Sequence, residues 1–221
     1  MANGKLNLKD VALGEELLRL EDVKTYYPAN KTVFQSKRKY VKAVDGISLT
    51  VKRGETFGLV GESGCGKSTI GRTVLRLEEA TAGKIFYKGV DIRTLKSEEM
   101  RQLRQEMQII FQDPYSSLNP KMTVGAIIGE PMQIHHLCSA AEREERVQHL
   151  LEIVGLRPYH AKRYPHEFSG GQRQRIGIAR ALAVHPELIV CDEAVSALDV
   201  SIQAQVLNLL SRLQKELNLT Y

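Results

Sequence analysis

The chain has 221 residues, of which 43% are hydrophobic and 26% charged, and its formal net charge is +5. This composition is close to the globular average, which excludes wholesale disorder, and so mild a basic excess favours an ordinary solvated surface over a polyanion-binding one. Three widely spaced cysteines exclude a disulfide framework or a paired-cysteine metal site, and without a run of 18 apolar residues no membrane-spanning helix is predicted.

The first predicted elements are strands. Residues 17–27 combine apolar and β-branched residues and stop at a proline, and residues 41–51 alternate apolar with polar side chains. Residues 30–39 form a polar, basic connection between these two strands. Residues 56–60 are a short apolar run after an Arg-Gly turn, which predicts a third strand that leads into a glycine-rich segment.

This glycine-rich segment, GESGCGKS at residues 61–68, fits the phosphate-loop pattern G-x-x-x-x-G-K-[ST]. Glycines let successive main-chain N–H groups point at phosphate oxygens, and the N-terminus of a helix predicted at 68–77 adds positive charge. Lys67 would reach the β- and γ-phosphates, Ser68 would ligate Mg²⁺ and Thr69 would add a phosphate contact. The predicted nucleotide contacts of the loop are Gly61, Ser63, Gly64, Cys65, Gly66, Lys67, Ser68 and Thr69.

The middle of the chain is rich in predicted helices. Residues 84–92 predict strand structure around a Lys-Gly turn, and helices are predicted afterwards at 97–107, 124–134 and 140–154. A short apolar run at 108–112 separates the first two of these helices. Strands towards both ends of the chain with a helical middle predict an α/β fold, with a three-layer phosphate-loop core, a mixed or parallel sheet and an inserted helical subdomain.

We therefore expect one domain made of three segments. Residues 1–92 would supply the N-terminal strands and the phosphate loop of the core. Residues 93–185 would form the helical subdomain, and residues 186–221 would return to the core with a further strand and helix.

The segment FSGGQRQR begins the last helix of the middle stretch, which is predicted at 170–184. Ser169 is placed to cap this helix, whereas the two glycines of its first turn cost helix stability. Two such glycines predict that the main chain approaches another group closely, and the positive helix N-terminus favours a phosphate. The alternative is an ordinary serine-capped helix.

The segment ELIVCDEAVSALD reads as an apolar strand that ends in Asp192 and Glu193. In a phosphate-loop fold an acidic residue at this place holds Mg²⁺ through water, and its neighbour can polarise a water for attack on the γ-phosphate. By itself this pattern is also typical of a strand that reaches solvent, so its weight depends on the phosphate loop. An amphipathic helix is predicted afterwards at 200–217.

Together, the segment at 61–69, Gln112 in IIFQDP, FSGGQRQR and CDEAVSALD resemble, in order and spacing, the motifs of ATP-binding-cassette ATPases. The resemblance covers nearly the whole chain from Leu17 onward. The stretches QDPYSSLNPKMTVGAII and CDEAVSALDVSIQAQVLNLL are more similar still to the oligopeptide and dipeptide importer branch of that family.

The resemblance implies a role for each matching residue. The catalytic set would be Glu193, which activates the attacking water, Gln112, which senses Mg²⁺ and the γ-phosphate, and Lys67. The metal site would comprise Ser68, Gln112 and Asp192.

The resemblance also implies contacts beyond the phosphate loop. ATP bound on an opposite subunit would be contacted by Ser169, Gly170, Gly171 and Gln172. An aromatic residue would stack on adenine: Tyr27 matches best, and Tyr40 is the competitor because the connection at 30–39 blurs the register. A core or edge position is the alternative for either tyrosine.

The function that the resemblance implies is ATP hydrolysis that energises import of peptides or similar small solutes, with ATP and Mg²⁺. The chain would be peripheral, on the cytoplasmic side of the cell membrane. Its partners would be an identical or homologous ATPase chain in a head-to-tail dimer, transmembrane permease subunits and, indirectly, an extracytoplasmic solute-binding protein, without nucleic acid.

The sequence departs from the family at its C-terminal end. The family continues with another apolar strand and a histidine that contacts the γ-phosphate, whereas this sequence stops at Tyr221. We therefore expect a truncated chain that binds nucleotide and turns it over poorly alone. Two other functions stay open: a soluble ATPase of the same superfamily that acts on nucleic acid, and a nucleotide-binding fragment without turnover.

Overall fold

The computed structural model describes residues 6, 8–29, 40–196 and 198–221. The polar connection predicted at 30–39 lies outside these described residues. The chain forms two compact units, of which the first extends to Leu103 and includes Thr220, and the second runs from Arg104 to Leu219 and includes Tyr221. The predicted division into segments 1–92, 93–185 and 186–221 stays a prediction.

The first unit is built on an antiparallel sheet with the strand order β2-β1-β3-β4. Its strands are β1 (Glu16–Pro28), β2 (Tyr40–Lys52), β3 (Ala82–Tyr87) and β4 (Val90–Asp91). The Lys-Gly turn predicted between the last two strands is confirmed. Lys88 and Gly89 both have positive φ, 49° and 78°, as a two-residue hairpin turn requires.

Two helices complete this unit, α1 (Lys67–Val74) and α2 (Ser97–Leu103), with a short 3₁₀ turn at Ile92–Thr94. The helix α2 ends at Leu103 and is shorter than the predicted 97–107. The last residue of that prediction, Met107, begins a strand that runs to Ile110. Buried apolar side chains of the sheet, of α1 and of the 3₁₀ turn form the core of the unit; they include Leu17, Leu20, Val23, Ile70, Val74, Ile85 and Ile92.

The strand β2 carries a bulge at Ala43. Thr25 of β1 pairs with Val44, but the next residue, Tyr26, pairs with Lys42, so Ala43 is an extra residue on β2. The alternation of residues 41–51 correctly predicts a strand but gives no sign of this irregularity.

The strand predicted at 56–60 is wrong. These residues form no strand in the described part of the chain, and the side chain of Val60 is 94% exposed. A strand requires a neighbouring strand to pair with, and none of the strands in the described part of the chain pairs with these residues.

The second unit contains two parallel strands, β5 (Met107–Ile110) and β6 (Leu188–Cys191), paired from Met107 with Leu188 to Ile110 with Cys191. Its helices are α3 (Val124–Ile134), α4 (Ala140–Ile153), α5 (Gly170–Leu182) and α6 (Val200–Leu217), with 3₁₀ turns at Pro158–Lys162 and Pro165–Glu167. Within the described residues no helix is both long and apolar enough to cross a membrane.

The helices of the second unit pack through one apolar core. Each helix contributes fully buried side chains, such as Ile128 of α3, Leu151 of α4, Ile178 of α5 and Leu213 of α6. Two of the helices begin with a capping box, at Ser139 for α4 and at Ser169 for α5, which satisfies their first-turn N–H groups. The chain contains both β-sheets and α-helices, which confirms the predicted α/β class.

Candidate functional site

The predicted phosphate loop lies in the first unit, immediately before α1. Gly64 and Gly66 have φ of 79° and 100°, a backbone region that residues with side chains rarely adopt. A Cβ at Gly66 would also lie 2.1 Å from the carbonyl oxygen of Ala43. Gly66 therefore has two independent reasons to be glycine, and the second involves the bulged residue of β2.

The start of α1 suits an anion. Gly66 is its N-cap and has no side chain to bond the first-turn N–H groups, so these can serve a ligand. The Nζ atom of Lys67 donates hydrogen bonds to the carbonyl oxygens of Gly61, at 2.9 Å, and Glu62, at 2.8 Å. The ammonium group thus lies against the loop itself, while the loop from Gly61 to Cys65 is exposed.

The remaining loop residues fall where the pattern places them. Ser68 and Thr69 lie in the first turn of α1 and are half-buried. The side chain of Cys65 covers Gly61, because a Cβ at Gly61 would lie 2.6 Å from its Sγ atom. The loop therefore closes on itself through small residues.

The structure separates the two tyrosine candidates. The hydroxyl of Thr25 lies 3.0 Å from that of Thr73, so Thr25 faces α1. Tyr27, two residues further along β1, shares this face of the sheet, whereas Tyr40 pairs with Pro28 and lies on the opposite face. Of the two side chains, the geometry favours Tyr27 as the one on the side of α1.

The other predicted groups lie in the second unit, where two parallel strands end at the same edge. Gln112 follows β5, and Asp192 and Glu193 follow β6. The Nε2 atom of Gln112 donates a hydrogen bond to Oε2 of Glu193 at 2.7 Å, although 81 positions separate them. The N–H of Asp192 donates to the carbonyl of Ile110 at 3.0 Å, and the residue is only 8% exposed.

Sequence reasoning missed Ser196, whose hydroxyl joins this cluster. Its Oγ atom accepts a hydrogen bond from Nε2 of Gln112 at 3.3 Å and donates one to the carbonyl of Glu193 at 3.0 Å. The available signal was its position three residues after Glu193, the spacing at which a serine hydroxyl reaches back to close a turn.

The loop after Gln112 has its own internal bonds. The carboxylate of Asp113 accepts hydrogen bonds from the N–H groups of Tyr115, at 2.8 Å, and Ser116, at 3.3 Å, which lower its pKa. The ring of Tyr115 lies 4.0 Å from the guanidinium of Arg173, in the first turns of α5. This loop therefore rests on the helix that Ser169 caps.

At the start of α5, the main-chain N–H of Ser169 donates to the side chain of Gln172 at 3.0 Å, and Oγ of Ser169 accepts from the N–H of Gln172 at 3.4 Å. Gly171 is buried, and a Cβ on it would lie 2.4 Å from Cγ2 of Ile202 in α6. Packing inside the chain thus explains this glycine. Its predicted phosphate contact, like those of Ser169, Gly170 and Gln172, stays a prediction.

Comparison with known proteins adds an independent finding. A family model described as "ABC transporter" matches residues 44–196. The oligopeptide transport ATP-binding protein AppF of Bacillus subtilis (strain 168) is 59% identical over 208 residues, which are 94% of this chain and 63% of that protein. The glutathione import ATP-binding protein GsiA of Pectobacterium atrosepticum is 50% identical over 95% of this chain and 34% of its own length.

A solved structure resembles the fold as well. The ATP-binding cassette MJ0796, in a dimeric post-hydrolysis state bound to ADP and Pi, superposes with a TM-score of 0.80 and is 28% identical. The match covers 92% of this chain and 85% of that one. The chain spans less than two thirds of the length of the two transport proteins named above.

Proposed function

From the premise that the chain belongs to the ABC transporter family, we propose that it binds and hydrolyses ATP to energise import of peptides or similar small solutes. The observation that carries the proposal is the 2.7 Å hydrogen bond between Gln112 and Glu193 at the ends of two parallel strands. The names of the oligopeptide and glutathione transport proteins support the class of solute.

In this proposal the phosphate loop holds the nucleotide. The first-turn N–H groups of α1 and the exposed loop bind phosphate oxygens, and Lys67 exchanges its two carbonyl partners for the β- and γ-phosphates. That exchange is feasible because both carbonyls lie in the loop that contacts the nucleotide. Tyr27 stacks on adenine.

The chemistry of the residues proposed for Mg²⁺ fits the ion, because a hard cation of this size prefers oxygen ligands. In the second unit Asp192 has a carboxylate, and Gln112 has an amide oxygen left for a ligand because its nitrogen is turned towards Glu193. Ser68 of the first unit would add a hydroxyl. No group of three or more His, Cys, Asp or Glu residues that could hold a metal occurs in the described part of the chain. When bound, Mg²⁺ neutralises charge on the phosphates.

The chemistry of hydrolysis falls to Glu193. Its carboxylate orients a water and accepts its proton as the water oxygen attacks the γ-phosphorus, while the bond from that phosphorus to the bridging oxygen breaks and ADP leaves. The amide of Gln112 holds this carboxylate in place. Because Gln112 immediately precedes the loop that rests on α5, a change in its position would also move that loop.

The proposed assembly is a head-to-tail dimer with an identical or homologous ATPase chain, bound to permease subunits at the cytoplasmic side of the membrane. The dimeric structure of the MJ0796 cassette supports pairing of this kind. The nucleotide of the partner would then face the start of α5, at Ser169, Gly170, Gly171 and Gln172. Closure and opening of the dimer would drive the permease.

The test uses the full-length protein purified with its permease subunits. Glu193→Gln should keep ATP binding, abolish ATP hydrolysis and accumulate an ATP-bound dimer in size-exclusion chromatography. The matched control is Glu216→Gln, the same chemical change on an exposed residue in the last turn of α6. Turnover by the Glu193 variant at the wild-type rate would contradict its role.

Two further variants test binding. Lys67→Ala should weaken binding of a fluorescent ATP analogue, and Tyr27→Ala should weaken it more than Tyr40→Ala. A complex that neither hydrolyses ATP nor carries peptide or glutathione into vesicles would refute the proposal as a whole.

A further inference from the structure

The turn after β6 places Glu193 in an unusual backbone conformation. Its φ is 47°, in the left-handed region that residues with side chains seldom occupy. The carbonyl oxygen of Glu193 accepts two hydrogen bonds from one residue: the N–H of Ser196 donates at 3.0 Å, and its hydroxyl donates at 3.0 Å. Ser196 therefore closes the turn twice and fixes the main chain that carries the Glu193 side chain.

The same hydroxyl also receives a hydrogen bond. Because its proton is directed to the carbonyl of Glu193, its oxygen faces the Gln112 amide as an acceptor. The Nε2 atom of Gln112 donates to Oγ of Ser196 at 3.3 Å and to Oε2 of Glu193 at 2.7 Å. One short side chain is thus bonded to the main chain of Glu193 and to the side chain of Gln112.

This arrangement matters because the side chains of Gln112 and Glu193 are exposed. A single hydrogen bond between two long, exposed side chains constrains them poorly, since each must lose rotamer freedom to make it. Ser196 offers a second acceptor that is anchored to the main chain and has a single side-chain torsion before its oxygen. It restricts the amide of Gln112 to one place beside Glu193.

We infer that Ser196 is a positioning residue of the hydrolytic site, which holds Gln112 and Glu193 in one fixed arrangement. The inference rests on the proposed function, because it assigns Ser196 to the reaction that those two residues carry out. It concerns the described contacts within one chain and needs no partner residue.

The first test measures steady-state ATP hydrolysis of the full-length complex. Ser196→Ala should lower kcat about 3- to 10-fold, the loss expected for one hydrogen bond, and should change the KM for ATP by less than about twofold. Ser196→Thr keeps the hydroxyl and should restore most of kcat. The matched control is Ser211→Ala on the exposed side of α6, which should behave as the wild type.

A double-mutant cycle separates positioning from a general structural effect. In a Gln112→Ala background the additional change Ser196→Ala should lower kcat by a clearly smaller factor than in the wild-type background, because one of the two groups that the hydroxyl positions is gone. Equal losses in the two backgrounds would overturn the inference, and so would a kcat of Ser196→Ala equal to that of the wild type.

A second readout does not depend on turnover. The side-chain amide of Gln112, observed by ¹⁵N NMR in the nucleotide-free protein, should shift and sharpen towards free-rotamer values in Ser196→Ala and stay in place in Ser196→Thr. An unchanged resonance in Ser196→Ala would refute positioning even if kcat fell. If the wild-type complex hydrolyses no ATP, the proposed function fails, and this resonance still decides whether Ser196 holds Gln112.

Discussion

Replacing Gly171 by alanine should destabilise the second unit, although alanine is the better helix former. The new Cβ would lie 2.4 Å from Cγ2 of Ile202, well inside van der Waals contact. Ile202 cannot rotate this methyl away easily, because a β-branched side chain in a helix has one strongly preferred χ1 rotamer. The helices α5 and α6 must therefore move apart.

The expected size follows from two opposing effects. Overpacking of this kind costs about 1–3 kcal/mol. The gain from replacing glycine by alanine in a helix is at most about 1 kcal/mol, and smaller in a first turn. A net loss of about 1–2 kcal/mol in the free energy of unfolding is expected for Gly171→Ala.

The same helix provides the matched control. Gly177 lies in the middle of α5, and a Cβ on it would meet no atom within 4 Å. Gly177→Ala should therefore gain about 0.5–1 kcal/mol from the restricted unfolded chain. The two variants should differ by about 2 kcal/mol, or about 4–8 °C in Tm for a chain of this size, measured by thermal unfolding without nucleotide.

A second substitution at the contact tests the cause. Ile202→Ala removes the clashing methyl, so the double variant with Gly171→Ala should be more stable than the sum of the two single losses predicts. A Tm of Gly171→Ala at or above that of the wild type, or equal to that of Gly177→Ala, would refute the packing argument. If stability returns in the double variant while ATP hydrolysis stays low, the phosphate contact gains support.

Three further predictions concern the loop and two titrating groups. Gly66→Ala should abolish binding of a fluorescent ATP analogue, because its Cβ would collide with the Ala43 carbonyl. Gly64→Ala, where φ is positive but a Cβ would meet no atom within 4 Å, should only weaken binding relative to the wild type. Equal affinities of the two variants for the analogue would contradict this. The N–H of the N-cap serine of α4 lowers the pKa of the Glu142 carboxyl in the folded state. The carboxylate therefore stabilises the fold above its unfolded pKa, and this stabilisation disappears as the pH falls. Glu142→Gln should flatten the decline of the urea midpoint between about pH 5 and 3. Burial lowers the pKa of His160, so the folded state favours the neutral ring, and the wild type should lose Tm below about pH 6.5 more steeply than His160→Gln.

The family resemblance placed Gln112 and Glu193 in one catalytic set, and the topology of the second unit explains why they meet. Both residues come directly after apolar runs, and the carboxyl ends of parallel strands meet at one edge of a sheet. The position of Ser196 could not be predicted in the same way. Its role depends on the positive φ of Glu193, which brings the hydroxyl back to the carbonyl of that residue.

The run at 56–60 shows a different limit. Its apolar residues are typical of a strand, but strand formation depends on pairing with a strand elsewhere in the chain, which a local pattern does not contain. Gly171 shows the converse, since its sequence context suggested a phosphate, and the structure explains it by a neighbour 31 positions away in α6 that no motif includes.

The bulge at Ala43 separates the two tyrosines that the sequence left as alternatives. In a regular antiparallel register, Thr25 opposite Val44 would place Tyr40 opposite residue 29, on the same face as Tyr27, and the two tyrosines would be equivalent candidates. The extra residue moves Tyr40 opposite Pro28 and therefore onto the other face. The carbonyl oxygen of this extra residue, Ala43, lies against Gly66. The irregular register of β2 thus leaves Tyr27, of the two tyrosines, on the face of the sheet towards α1, and a Cβ at Gly66 would collide with the carbonyl oxygen of the bulged residue. The stacking of Tyr27 on adenine stays a prediction.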